Sequence, residues 1–135
     1  EVVAYRQRIA TTLSGGEQTL VMLARIFATQ PRMVFADEPV AALDPYHQLH
    51  VMELLRAHAQ GEQAGMVVLH DLGLAARFCD RLYLLHHGKV YCHGTPAAVL
   101  TQDNLRKVYG IDCRIECTAD GVSVIPTQRL RDGHP

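Results

Sequence analysis

Four short segments hold residue types that suit phosphate chemistry: Leu13–Ser14–Gly15–Gly16–Glu17, Ala36–Asp37–Glu38–Pro39, Leu43–Asp44 and Leu69–His70–Asp71. A serine and two glycines opening a helix expose its first backbone amides, and the helix dipole favours an anion there. A phosphate would rest against Ser14, Gly15 and Gly16. Ser14 and Glu17 also have capping-box spacing, in which the hydroxyl accepts from the N3 amide and the carboxylate reaches back to the serine amide. Alone, the segment also reads as the capped start of an ordinary helix. Asp37 and Glu38 end the apolar run Met33–Val34–Phe35–Ala36. Phosphoryl transfer to water needs Mg²⁺ to offset phosphate charge and a group acting on the water. Adjacent carboxylates divide those jobs, Asp37 toward the metal and Glu38 toward the water, where the plainer alternative is a solvated acidic turn. A lone histidine after a strand is more often a structural cap than a catalytic group; His70 follows the other three segments in order.

These groups must be positioned by alternating helices and strands. Leu20, Leu23, Ala24, Phe27 and Ala28 recur at helical spacing after the glycines. Beyond Pro31, Met33–Ala36 predicts a buried parallel strand with carboxylates at its C-terminal end, where ligands sit in open α/β sheets. Asp44 and Pro45 are an N-cap and N1 pair opening a helix through Leu49, Met52, Leu55 and His58 that fades near Gly61. Met66–Leu69 predicts a second buried strand, and Leu72, Ala75, Ala76 and Cys79 a third helix. Arg81–His87 and Lys89–His93 read as strands joined at Gly88. Thr95–Pro96 caps a short helix to Leu100, and Thr101 opens another ending at Gly110. Cys113–Thr118 and Val122–Pro126 read as a hairpin turning at Ala119–Asp120–Gly121, with a polar, frayed tail from Gln128 to Pro135.

Composition limits the function classes. The formal net charge is −1 and no Lys/Arg-rich run occurs, so the sequence offers no electrostatic footing for nucleic acid as a partner. Hydrophobic residues make up 48% and charged residues 20%, a globular balance rather than a disordered one. No apolar stretch reaches the roughly 20 residues that span a bilayer, and Glu1–Arg8 is too polar for a secretion signal. A cytoplasmic chain is expected. Cys79, Cys92, Cys113 and Cys117 form no CxxC pair and read as reduced, small apolar residues. The alternation around Cys113 and Cys117 favours a strand, about 13 Å between them, too far for a shared metal. His86, His87, Cys92 and His93 read as a solvated hairpin.

The segments LSGGE, MVFADEP, AALD and VLHD closely resemble the signature motif, Walker B strand, D-loop and H-loop of the ATP-binding-cassette family. That resemblance implies an α/β fold: part of a P-loop NTPase core, parallel strands flanked by helices, plus a C-terminal β-hairpin. In the family, two nucleotide-binding domains face head to tail with ATP between the lysine loop of one and the signature of the other. By implication Ser14, Gly15, Gly16 and Glu17 belong to the ATP site in trans, with the first three on the γ-phosphate. Asp37 would serve Mg²⁺ indirectly, Glu38 would act on the attacking water, His70 would contact the γ-phosphate, and Asp44 would communicate across the dimer. Implied partners are a second nucleotide-binding subunit and transmembrane permease subunits, on the inner face of the cell membrane. The runs around Asp44–Gln48, His70–Arg81, Gly88–Pro96 and Val99–Gly110 are similar to importers of the metal-chelate branch, for iron–siderophores, haem or cobalamin. On this reading residues 1–30 end a helical subdomain, 31–94 belong to the catalytic core, 95–127 form C-terminal helices and a hairpin, and 128–135 are the tail.

The sequence departs from the family at one chemical essential. A phosphate loop reads GxxxxGK[ST]; here the only lysines, Lys89 and Lys107, precede Val90 and Val108. In the family that loop lies upstream of the signature. The expectation is a chain that does not hydrolyse ATP alone, with the Met33 and Met66 strands left with unpaired edges, exposed apolar surface and a tendency to self-associate. Thr19–Leu20 and Val40–Ala41 replace the more usual Gln–Arg and Thr–Ser. Two readings follow, an ATPase subunit or a non-catalytic remnant serving as a partner-binding module. A DNA-maintenance ATPase is disfavoured by the importer-like segment after His70 and the near-neutral charge.

Overall fold

The computed structural model describes residues 2–118 and 121–130. Two compact units divide the chain between Leu69 and His70.

In the first unit, 3-10 turns at Val2–Tyr5 and Ala10–Thr12 lead into α1 (Gly15–Phe27). β1 (Met33–Asp37), α2 (Pro45–His58) and β2 (Ala64–Val68) follow. β1 and β2 are parallel, in register from Met33↔Ala64 to Asp37↔Val68. α2 packs against α1 and against β2. Its buried stripe of Val51, Met52 and Leu55 recurs at helical spacing, as do Leu20 and Leu23 on α1.

The parallel pairing agrees with the sequence reading, but the burial does not. Val34 is the one buried residue of β1 and β2 carries none, whereas Phe35 is 70% exposed and Met33, Met66 and Val68 are also exposed. Side chains alternate across a strand, and in this register Met33, Phe35, Met66 and Val68 share a face. Only one face of a strand pair can lie under α2; the other is open. Among the described residues each strand has a single neighbour, which matches the expected unpaired edges.

The second unit begins with α3 (Leu72–Phe78), then β3 (Leu82–His86), β4 (Lys89–Gly94), α4 (Pro96–Val99), α5 (Gln102–Tyr109), β5 (Ile111–Thr118) and β6 (Gly121–Arg129). β3 and β4 form an antiparallel hairpin. Its two loop residues, His87 and Gly88, have φ of +49° and +71°, the type I′ sign pattern that matches strand twist. β5 and β6 pair antiparallel, with a bulge at Asp112/Cys113. Cys113 and Cys117 lie on β5, as the alternation implied. Of the predicted turn, Ala119 and Asp120 lie outside the described residues. β6 continues through Gln128 to Arg129, into the stretch read as a frayed tail; residues 131–135 lie outside the described residues.

Ala76, Leu100, Leu105 and Val124 form one apolar cluster, joined at its margin by Leu72, Leu82, Ile111, Cys113, Ile115 and Val122. Leu84, Val99 and Val108 form another. Gly110 ends α5 at φ +63°, ψ +35°, the left-handed cap that glycine adopts at little cost. Thr101 caps α5 through its side chain, whereas Thr95 makes no such bond to α4 and leaves that start to Pro96 at N1. Among the described residues no helix is long and apolar enough to cross a membrane.

Candidate functional site

The start of α1 is closed by a complete capping box. Ser14 Oγ accepts from Glu17 N at 3.2 Å, and Glu17 Oε2 accepts from Ser14 N at 2.7 Å. Arg8 donates from its guanidinium to Glu17 Oε1 at 3.0 Å and to the Thr12 carbonyl at 2.8 Å. The bond from the Ser14 amide, aided by the Arg8 charge, holds the Glu17 carboxyl below its ordinary value. Both Glu17 oxygens are thus committed to bracing the loop. The amides satisfied by the box are those of Ser14 and Glu17. Gly15 and Gly16 are the first helical residues, whose N–H groups have no intrahelical acceptor at a helix start. Gly15 is exposed and Gly16 is buried; both amides lie at the positive end of the helix dipole, and Arg8 offsets the charge of Glu17.

Asp37 and Glu38 terminate β1 and are both exposed. Glu38 N donates to the Val68 carbonyl at 3.2 Å, extending the strand pairing by one rung. There the chain turns sharply: Glu38 has φ +45° and Ala42 φ +59°. A left-handed glutamate is uncommon and costs energy, of order 1 kcal/mol or more, which marks the position as a place where direction matters more than comfort. Buried Val40 and the hydrogen bond from Leu43 N to the Val40 carbonyl (3.3 Å) fix the loop that follows.

Asp44 caps α2, its Oδ1 accepting from His47 N at 3.0 Å while Oδ2 lies 2.7 Å from His47 Nδ1. The backbone bond from His47 is the first cause that lowers the Asp44 pKa. The His47 ring in turn lies against Gly16, so the Asp44 loop and the start of α1 meet within one unit.

His70 opens the second unit and is exposed; Asp71 caps α3, its Oδ1 accepting from Leu74 N at 2.8 Å. The structure thus brings Ser14, Gly15, Gly16, Glu17 and Asp44 into one neighbourhood, puts Asp37 and Glu38 at the end of β1, and assigns His70 to the other unit. Arg8 and His47 were missed by the sequence reading. Capping spacing alone would have flagged His47 N as a partner of Asp44; the contact with Gly16, 31 positions away in sequence, has no local signal, nor does the Arg8–Glu17 pair.

The sequence profile of the ABC transporter family matches residues 2–41. The hemin import ATP-binding protein HmuV of Rhodococcus jostii (strain RHA1) is 48% identical over 110 residues, covering 82% of this chain and 38% of that protein. Its counterpart from Jannaschia sp. (strain CCS1) is 41% identical over 139 residues, covering 96% and 52%. Among solved structures, a metal-chelate type ABC transporter in an inward-facing conformation matches with TM-score 0.77 and 25% identity, over 90% of this chain and 50% of that one. The chain belongs to the ABC transporter family. The ADP conformation of MJ1267, an ATP-binding cassette of an ABC transporter, matches with TM-score 0.66 and 28% identity, over 76% and 42% of the two chains. This family member spans about half the length of the curated relatives it matches, from 38% of the Rhodococcus protein to 52% of the Jannaschia protein.

Proposed function

We propose that the chain supplies part of the ATP-hydrolysing subunit of an importer for haem or a related metal chelate. The observation that carries this reading is the division of labour at the start of α1: the capping box takes the amides of Ser14 and Glu17, and the Gly15 and Gly16 amides remain at the positive end of a 13-residue helix. A terminal phosphate presented by a second nucleotide-binding subunit fits that cradle, and the Ser14 hydroxyl adds a third donor. Glu17, in this arrangement, braces the loop rather than touching the anion.

Glu38 acts on the attacking water; it follows β1 at φ +45°, where the chain leaves the strand. Asp37, an exposed oxygen donor beside it, suits Mg²⁺, which is held by one or two carboxylates together with substrate phosphates. Bound there, the ion offsets charge on the phosphates. His70 contacts the γ-phosphate, and Asp44 reports across the dimer. Permease subunits in the membrane receive the resulting motion, and the ATPase sits on its inner face. Relatives named for hemin import support haem or a related chelate as cargo.

The test is to titrate ¹⁵N-labelled chain with tripolyphosphate at low ionic strength. Saturable shifts of the Gly15 and Gly16 amide resonances are expected. Shifts confined to other residues, or none, would remove the basis for the phosphate cradle.

A further inference from the structure

His47 has a position that the cap on α2 alone does not require. One carboxylate, Asp44, fixes it twice, through the backbone N (3.0 Å) and through ring Nδ1 (2.7 Å). The ring is mostly covered, at 22% side-chain exposure, and Tyr46 meets it edge-on with centroids 5.4 Å apart. Its remaining face is pressed onto Gly16: a Cβ at that position would overlap ring atoms Cδ2 and Cγ and come within 2.7 Å of Nε2. A long flexible side chain would swing away from such an intrusion. An imidazole held at both its backbone and its ring cannot do so without giving up the Asp44 bonds. By contrast, a Cβ on the neighbouring Gly15 would meet nothing within 4 Å. The two glycines of the cradle are therefore different, one open and one a contact surface.

We propose that His47 is a positioning residue that mechanically couples Asp44 to the phosphate cradle. The inference rests on the reading of Ser14, Gly15 and Gly16 as that cradle. Asp44 sets the ring, the ring fills the space that a Cβ on Gly16 would take, and Gly16 carries one of the two amides offered to the anion. Whatever displaces Asp44, such as a partner subunit touching its exposed carboxylate, shifts the ring and with it the first turn of α1. In the neutral ring Nδ1–H donates to Asp44 Oδ2 and Nε2 keeps its lone pair, so the coupling needs no change of charge.

Three readouts on the full chain test this. In the free chain, Asp44→Asn is expected to move the Gly16 amide resonance while amides of α5 stay in place. Gly16→Ala is expected to lower the melting temperature by several degrees in the native background and far less in a His47→Ala background, because the clash partner is gone. His47→Ala and Asp44→Asn should each weaken tripolyphosphate binding, read at the Gly15 amide, by about tenfold. His47→Asn, which retains a donor for Asp44 but lacks the ring, replaces His47→Ala if that variant loses dispersed resonances. An unmoved Gly16 amide in Asp44→Asn, or additive effects of Gly16→Ala and His47→Ala, overturns the coupling. Should the native chain bind no tripolyphosphate, the cradle reading fails and with it the proposed role, whereas binding that is unchanged in both variants overturns the His47 role alone.

Discussion

The two units bury apolar surface by different means. In the second, β3–β4 and β5–β6 are hairpins whose partners are neighbours in sequence, and α3, α4 and α5 close over them to enclose Leu100 and Leu105. In the first, the parallel pair β1–β2 is bridged by α2, and its face of Met33, Phe35, Met66 and Val68 stays open. Antiparallel pairs complete themselves locally, while parallel strands are normally buried on both faces within larger sheets. Asp37 and Glu38, the proposed metal- and water-directing carboxylates, thus lie at the end of the strand whose apolar face is exposed.

The largest effect that sharpens this contrast is expected in the second unit. Leu105→Ala removes a fully buried side chain (0% exposed) and should cost about 3 kcal/mol. Hydrogen exchange should show protection lost across α5 and β5 while α1 and α2 keep theirs; uniform loss would erase the distinction between the units. Acid gives an intermediate effect in the first unit. Glu17 and Asp44 both have lowered pKa values, from ordinary values of 4.5 and 3.8, through the Ser14 and His47 amides respectively. Lowered carboxylates stabilise the fold fully above those ordinary values and lose that contribution as pH falls through their folded values. Below pH 4.5 the amides in the first turns of α1 and α2 should therefore lose protection relative to the intrinsic exchange rate at each pH, and invariant protection there down to pH 2 would contradict the caps. The smallest effect on stability belongs to the open face. Phe35→Thr should change unfolding free energy by less than about 0.5 kcal/mol, yet reduce self-association measured by sedimentation velocity. A marked destabilisation would mean that the face is covered after all.

Much of this was legible in the sequence because it is local. The capping box at Ser14 and Glu17, the Asp44–Pro45 helix start, the Gly88 turn and the Gly110 stop each depend on residues a few positions apart, and all appear where expected. Strand type was also legible, but strand burial was not. An apolar run such as Met33–Ala36 says that a strand could be covered, and only tertiary packing decides whether it is. The left-handed turn at Glu38, the Arg8 brace and the His47–Gly16 contact were hidden for the same reason: glutamate carries no signal for positive φ, and the other two join residues that no helical or strand period relates. The extension of β6 to Arg129 was missed because Thr127–Gln128–Arg129 is polar, although Thr127 Oγ donates to the Asp112 carbonyl at 3.1 Å and Gln128 to its carboxylate at 2.9 Å.

On the proposed reading Ser14, Gly15 and Gly16 offer an anion cradle and Glu38 directs water at a nucleotide site, while no GxxxxGK[ST] run occurs among the 135 residues. Steady-state ATP hydrolysis by the purified 135-residue chain, native and Glu38→Gln side by side, tests that most directly. No turnover above background is expected from either. Hydrolysis by the native chain that vanishes in Glu38→Gln would show a complete catalytic site and contradict it.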